Sequence, residues 1–290
     1  MNQIDELFSR LGSCDICPHS CNVDRQKGEV GICGMTSELT IASYGPHFGE
    51  EPELVGFFGS GTIFLSGCNL LCVFCQNYTI SHCREGRKYD ISELVDIMLK
   101  LQEIGCHNIN FVTPTHYAPE IAKAIIEARS LGLAIPIVYN SSGYDKVDTL
   151  KALEGLIDIY MPDIKFIDPE KSKIYTEAPD YFIYASSALI EMYKQVGNLV
   201  VRNGIAKRGL IVRHLILPDN QSDTIEIINF IANNLGTDVY LNLMDQYHPH
   251  YFAFQYPRIS RGIIAEEYKY YIEYAKSKGF WNPPYIYNQV

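Results

Sequence analysis

The sequence has no cluster of basic residues. Its 24 Lys and Arg are outnumbered by 34 Asp and Glu, for a formal charge of −10, and without clustered cations to neutralise phosphates, general nucleic-acid binding is not expected. Nor does it have an apolar run of membrane-spanning length. The opening Met1-Asn2-Gln3-Ile4-Asp5-Glu6 lacks the basic and apolar regions of a signal peptide. A cytoplasmic protein with no membrane contact is therefore expected. A reducing compartment disfavours disulfides, so the nine cysteines read first as metal ligands. Apolar content is ample: 47% over 290 residues can fill the core of one large α/β domain with a small appendage.

The most informative run is Ser66-Gly67-Cys68-Asn69-Leu70-Leu71-Cys72-Val73-Phe74-Cys75, directly after the short apolar stretch Thr62-Ile63-Phe64-Leu65. Thiolates are soft ligands that suit iron–sulfur clusters, zinc or Cu(I), and a cubane cluster normally takes four. This loop supplies Cys68, Cys72 and Cys75 only. A cubane held by three protein ligands keeps one iron open, and an open position is where a substrate or cofactor can bind and react. Structural zinc fits less well, because such sites are closed by four ligands that usually come as C-x2-C pairs.

A second group lies near the N-terminus: Cys14, Cys17, Cys21 and Cys33, spaced C-x2-C-x3-C-x11-C and interspersed with Gly28 and Gly31. A segment this short buries too little apolar area to fold alone, so a metal would supply its folding energy. Zinc and an auxiliary iron–sulfur cluster both fit the spacing. His19 reads as a loop residue, and Cys83 and Cys106 as unligated thiols.

From about residue 58 the chain alternates apolar runs with helical patterns. Strand candidates are Thr62 to Leu65, Asn108 to Thr113, Ile135 to Tyr139, Asp158 to Lys165, Leu210 to Leu217 and Val239 to Met244. Helical patterns fall between them, the first with Ser92 as its N-cap. Six strand–helix repeats predict an α/β fold, a partial (β/α)6 TIM-like barrel with a parallel sheet. The expected organisation is a Cys-rich N-terminal metal-binding segment over 1–57, the barrel over 58–250, and a C-terminal extension over 251–290 packing on the barrel. Reactive groups of such barrels lie at the C-terminal strand ends. Polar residues do cluster there: Thr113 to Tyr117, Asn140 to Gly143, Asp163 and Lys165, Arg213 and His214, and Asp245 to His248.

The cysteine triplet, with Phe74 just before its third member, resembles the signature loop of the radical S-adenosylmethionine (radical SAM) superfamily. The stretches 158–166 (DIYMPDIKF), 212–218 (VRHLILP) and 242–247 (NLMDQY) narrow the resemblance, over nearly the whole chain, to pyruvate formate-lyase activating enzymes of the PflX type. The resemblance implies a [4Fe-4S] cluster on Cys68, Cys72 and Cys75, with SAM chelating the open iron. An electron from a flavodoxin- or ferredoxin-like donor would cleave SAM to methionine and a 5′-deoxyadenosyl radical, an anaerobic chemistry that would activate a glycyl-radical enzyme such as pyruvate formate-lyase. It places Asp163, Met161, Asn140, Ser141 and Lys165 near SAM, with Arg213 and His248 as further members and Phe74 either against the adenine or in plain packing. Activating enzymes of this kind carry Gly-Gly-Glu-Pro after the second strand, where this chain reads Thr113-Pro114-Thr115-His116. The oxygens of Thr113 and Thr115 can accept hydrogen bonds from an ammonium, but the glutamate charge is missing.

Two other readings stand beside this one. The first is a radical SAM enzyme acting on a small molecule or peptide; the second is a non-enzymatic zinc-binding protein. The tyrosines of the C-terminal region, Tyr247, Tyr251, Tyr256, Tyr285 and Tyr287, could dock a protein partner, but packing over the barrel edge is the simpler expectation.

Overall fold

The structure, a computed structural model, describes residues 3–280. Nine strands form its sheet: β1 (Leu39–His47), β2 (Ser60–Leu65), β3 (Arg87–Tyr89), β4 (Ile109–Val112), β5 (Ile137–Asn140), β6 (Ile159–Tyr160), β7 (Val200–Arg202), β8 (Ile205–Leu215) and β9 (Tyr240–Met244). Six run parallel in the order β2-β4-β5-β6-β8-β9. The expected partial barrel is present and open. Antiparallel β1 covers the β2 edge, carrying β3 on its far side, and β7 forms a hairpin with β8.

Alternation along each strand sorts the core into two layers. Ile63, Phe111, Tyr139 and Val212 face outward into the main core beneath the helices. Their neighbours Val138, Ile159, Met161 and Ile211 face inward and pack with Leu54 as a separate cluster. Helices Ile91–Glu103, Ala118–Ser130 and Thr224–Asn234 cover the outer layer with their buried faces. The first of these begins two residues earlier than its Ser92 cap predicts, with Asp90 as the cap. Asp90 accepts the Glu93 N–H at 2.8 Å and Glu93 returns a bond to the Asp90 N–H at 2.9 Å, a reciprocal capping box. Ser92 Oγ only supports it, bonding Asp90 at 2.6 Å.

The stretch 39–57, expected to belong with the N-terminal cysteines, is built into the barrel instead. β1 pairs with β2, and the segment after it crosses the N-terminal ends of the strands as a floor. There the short helix Pro52–Val55 buries Leu54 completely. The Leu54 carbonyl accepts from Asn108 Nδ2 at 2.8 Å, the N–H groups of Phe57 and Phe58 donate to His107 Nε2 at 3.1 and 3.3 Å, and the Tyr240 hydroxyl donates to Glu53 at 2.9 Å. The floor is thereby tied to β4 on one side and β9 on the other.

At the C-terminal end, helix Ala265–Ser277 buries Tyr271, Ile272 and Ala275, and Arg261 clamps its first turn through Glu267 at 2.7 Å. Tyr285 and Tyr287 lie outside the described residues. No described helix is long and apolar enough to cross a membrane.

Candidate functional site

The three-cysteine loop leaves the C-terminal end of β2 under tight backbone constraints. The Ser66 N–H donates to Thr40 O at 3.0 Å, and its carbonyl accepts from His116 Nε2 at 2.8 Å. Gly67 has φ of 82°, and a Cβ there would fall 2.3 Å from Met35 Cγ; only glycine admits the N-terminal segment so close. Asn69 anchors the next turn, its Nδ2 donating to Tyr144 O at 2.8 Å. Donors reach the sulfurs: Leu70 N–H lies 3.3 Å from Cys68 Sγ, and Ser81 Oγ lies 3.2 Å from Cys75 Sγ. Burial, with Cys75 beside it, pushes the Cys68 thiol up to about 11. Burial pushes Cys72 up further, while the Lys165 cation facing it pulls down.

This donor set fits an iron–sulfur cluster: soft thiols from one loop, hydrogen-bond donors aimed at sulfur, and a cation nearby to offset thiolate charge. Among the described residues no three His, Cys, Asp or Glu side chains converge on a single ion position. A cubane asks for something else, since each thiolate takes a different iron of a larger group.

Beneath the loop a ladder of alternating charge descends through the barrel. Lys165 Nζ bonds Asp163 Oδ2 at 2.7 Å; Arg213 Nε sits 3.2 Å from Asp163 Oδ1; Arg213 Nη1 bonds Glu50 Oε2 at 3.1 Å. Glu51 Oε1 lies 3.9 Å from Arg213 Nε and accepts from Asn242 Nδ2 at 2.8 Å. Met161 Sδ lies 3.7 Å from Arg213 Nη1. Burial would raise the Asp163 carboxyl, but Lys165 and Arg213 hold it below the ordinary carboxylate range. Glu50 is raised, because burial outweighs the attraction of Arg213. Asp163 Oδ1 and Arg213 Nε, though close, are not aligned as a hydrogen bond, and both are without a hydrogen-bond partner. The ladder thus presents unused polar atoms at the strand ends, as does the unpaired Ser142 Oγ, and these suit the charged amino-acid moiety of SAM.

The sequence named Met161, Asp163, Lys165 and Arg213, and the structure brings them together. It missed Glu50, Glu51 and Asn242. The adjacent acids of Gly49-Glu50-Glu51-Pro52 were the available signal, but they precede the first barrel strand. Thr113 follows β4 directly with φ of 61° and donates its N–H to Asn140 O at 2.9 Å. A β-branched residue in that region is strained, a feature that gathers at functional sites.

The structure places the other expected residues as follows. The Ser141 hydroxyl is committed to Asp145 Oδ2 at 2.7 Å, where Asp145 also collects Thr115 at 2.8 Å and Tyr139 at 3.0 Å. His248 is exposed and makes no described bond to the ladder. Phe74 is buried with its ring edge-on to Phe166, Tyr175 and Tyr247, the packing alternative. His214 bonds Ile164 O at 2.6 Å and Thr224 Oγ1 at 2.9 Å, and burial lowers it to about 4; it is a neutral clamp facing away from the barrel interior.

The four N-terminal cysteines share one neighbourhood. Burial pushes Cys17 up to about 12, with the Cys33, Cys14 and Cys21 thiols adding to it. Buried Arg25 lies beside them, its Nη1 3.9 Å from Cys14 Sγ and 2.6 Å from His116 O. His19 bonds Asn69 O at 2.6 Å, so the segment is fastened to the three-cysteine loop directly at Asn69 and indirectly through His116, which bonds Ser66 O. Near it a cleft of about 600 Å3 is lined by Phe8, Leu11, Leu39, Ile91 and Glu120 among others.

An open, parallel, six-stranded half-barrel with a three-thiol loop at the C-terminal end of its first parallel strand defines a class of metalloenzyme scaffold. The Radical SAM superfamily family description matches residues 62–231, and the chain belongs to that superfamily. It is similar to two proteins of Methanocaldococcus jannaschii. Uncharacterized protein MJ0674 is 33% identical over 279 residues, 91% of this chain and 74% of that one. Uncharacterized protein MJ0808 is 25% identical over 290 residues, 91% and 80% of the respective chains. Among solved structures, the FeFe-hydrogenase maturase HydG from Carboxydothermus hydrogenoformans superposes with a TM-score of 0.53 at 13% identity, over 75% of this chain and 50% of that one. Methylornithine synthase (PylB) gives 0.50 at 16% identity, over 75% and 62%. This chain spans only about half the length of the maturase, and at these identities the likeness is one of fold. Membership in the superfamily implies a [4Fe-4S] cluster and SAM.

Proposed function

We propose that this chain is a radical SAM enzyme whose cluster is held by Cys68, Cys72 and Cys75 and whose substrate is a small polar molecule lodged in the barrel. When bound, the cluster and SAM supply reductive cleavage of the sulfonium and a 5′-deoxyadenosyl radical for hydrogen abstraction. The chain's own part is placement. Asp163, Lys165 and Arg213, with Asn140 and Thr113 at the neighbouring strand ends, orient the charged groups of SAM. The Leu54 floor closes the opposite end of the barrel to water. The observation that carries this reading is the charge ladder, which leads from Lys165 beside Cys72 down to Glu51 and gives a small ligand polar contacts along its length.

Anaerobic reconstitution with iron and sulfide, then SAM and a strong reductant, tests it. About four irons per chain at the loop and formation of 5′-deoxyadenosine are expected. Folded protein that binds no iron and makes no deoxyadenosine refutes it. Within the same proposal Cys14, Cys17, Cys21 and Cys33, which lie near one another without three of them converging on one ion position, close around a separate metal group on loading, their negative charge offset by buried Arg25. Zinc in the same metal count means a structural site, and about four additional irons mean an auxiliary cluster.

A second reading, activation of a glycyl-radical enzyme such as pyruvate formate-lyase, draws on the sequence resemblance and on one surface feature. Tyr78 stacks on Tyr251, and Phe252, whose N–H bonds Val73 O at 2.9 Å, stands half-exposed beside Phe254. That aromatic surface adjoins the cluster loop and suits a protein partner, either a glycyl-radical enzyme or a flavodoxin- or ferredoxin-like electron donor. Deuterium transfer into deoxyadenosine from an α-deuterated glycine of the partner separates this reading from the small-molecule one.

A further inference from the structure

The ladder does not use all of its polar atoms. Glu51 is 4% exposed, and while its Oε1 is taken by Asn242, its Oε2 has no partner. Asn110 is fully buried and both atoms of its amide are unpaired. It lies between Ile109 and Phe111, which face the outer core, so alternation points it into the barrel. Its register partner on β5 is Val138, which belongs to the same buried cluster as Leu54. Glu51 caps the helix that carries Leu54. Both residues therefore sit at the level of the floor.

A buried acceptor or amide left unbonded costs free energy that a ligand recovers by bonding it. The charge there is also unbalanced. Glu50, Glu51 and Asp163 face only Lys165 and Arg213, and Arg213 is drawn toward Glu50 and Asp163. Of the neighbouring imidazoles, His47 stands 3.3 Å from Glu50 and is 41% exposed, His107 accepts from the Phe57 and Phe58 N–H groups, and His214 is engaged by Ile164 and Thr224 on the outer side of β8. The floor therefore offers an acceptor to a cation and repels an anion. Resting on the function proposed above, we propose that Glu51 and Asn110 are the specificity-determining pair and that the substrate presents an ammonium group to Glu51 Oε2, with Asn110 bonding an adjacent polar group.

The test uses two probes of the same size and opposite charge, n-butylammonium and butyrate. Each is titrated into reconstituted holoprotein saturated with SAM and followed by ligand-observed NMR. Butylammonium is expected to bind at least about tenfold more tightly than butyrate, and Glu51→Gln to remove at least about tenfold of that affinity. Equal or tighter binding of butyrate, no binding of either, or an unchanged Glu51→Gln variant overturns the assignment. Should Glu51→Gln fail to fold, the comparison of probes on the wild type decides alone. A third arm titrates acetyl-Gly-Lys-Gly-amide: its binding supports the assignment with a lysine-bearing chain as the source of the amine, and its exclusion while butylammonium binds supports it with a free amine. Deoxyadenosine formed without substrate is measured in parallel. If the wild type makes none, the radical SAM reading itself fails; if it makes deoxyadenosine but prefers butyrate, only the amine assignment does.

Discussion

Arg213 Nη1 on β8 donates to Glu50 Oε2 at 3.1 Å, across 163 positions of sequence. Glu50 belongs to the segment that floors the barrel before the first parallel strand, and Arg213 to the fifth. One guanidinium thus joins the closure of the barrel's N-terminal end to the polar groups beneath the cluster loop. The same side chain approaches Asp163 at 3.2 Å and Glu51 at 3.9 Å. A planar fork with five donors can serve three carboxylates; an ammonium on a flexible stem cannot hold them in one plane.

Replacing Arg213 by Met should therefore cost about 3 kcal/mol of unfolding free energy, because Glu50, Glu51 and Asp163 would be left close together with only Lys165 to offset them. Arg213→Lys should fall between the two. Urea unfolding of the three proteins checks this. A loss below about 1 kcal/mol in Arg213→Met would mean that water, not Arg213, satisfies these carboxylates.

Cys72→Ala should remove iron binding at the loop and deoxyadenosine formation while leaving the far-ultraviolet circular dichroism unchanged. The loop is held by contacts that do not involve this thiol: Ser66 to Thr40, His116 to Ser66, and Asn69 to Tyr144. Cys17→Ala should instead lower the content of the second metal and the stability of residues 10–37, without abolishing SAM cleavage. Retained cleavage in Cys72→Ala would overturn the ligand assignment.

The barrel was legible in the sequence because each parallel strand is a short apolar run followed by a helical period, and the strand ends carry the polar residues that the fold requires. Asp163, Lys165 and Arg213 could be found by that rule. Glu50 and Glu51 could not, since they enter from the opposite end of the barrel on a segment that local reading attaches to the cysteines before it. Ser141 and His248 stand apart from the ladder, and for Ser141 the reason is local. Sequence places a side chain at a strand end but does not say whether a neighbour already occupies it, and Asp145 claims Ser141. Thr113 shows the converse, since its positive φ of 61° has no signature in residue type.

Leu54→Ala should cost about 3 kcal/mol, from lost burial and the cavity left among Val138, Ile159, Met161 and Ile211. Because Leu54 is three residues from Glu51, loosening the floor should also weaken any ligand that Glu51 binds, while iron content stays unchanged. Denaturant unfolding and metal analysis of one preparation check both halves. A variant with lowered iron would show that the floor supports the cluster loop as well.

Glu120 gives a prediction with a definite pH direction. Both of its carboxylate oxygens are buried without a hydrogen-bond partner, and burial pushes its pKa up to about 7 although nearby Arg25 pulls the other way. The folded state then holds a proton that the unfolded chain releases at about 4.5. Between those values the native state binds more protons, so this group's contribution to stability falls as pH rises and levels off above about 7. Glu120→Gln removes the cost of ionisation while keeping the shape. The variant should match the wild type near pH 4.5 and exceed it near pH 8, by at most on the order of 3 kcal/mol. Unfolding both proteins at the two pH values cancels every other titrating group in the difference. If the difference is the same at both, Glu120 takes up its proton alike in the folded and unfolded chain, and the Arg25 guanidinium compensates its burial more fully than the unpaired oxygens indicate.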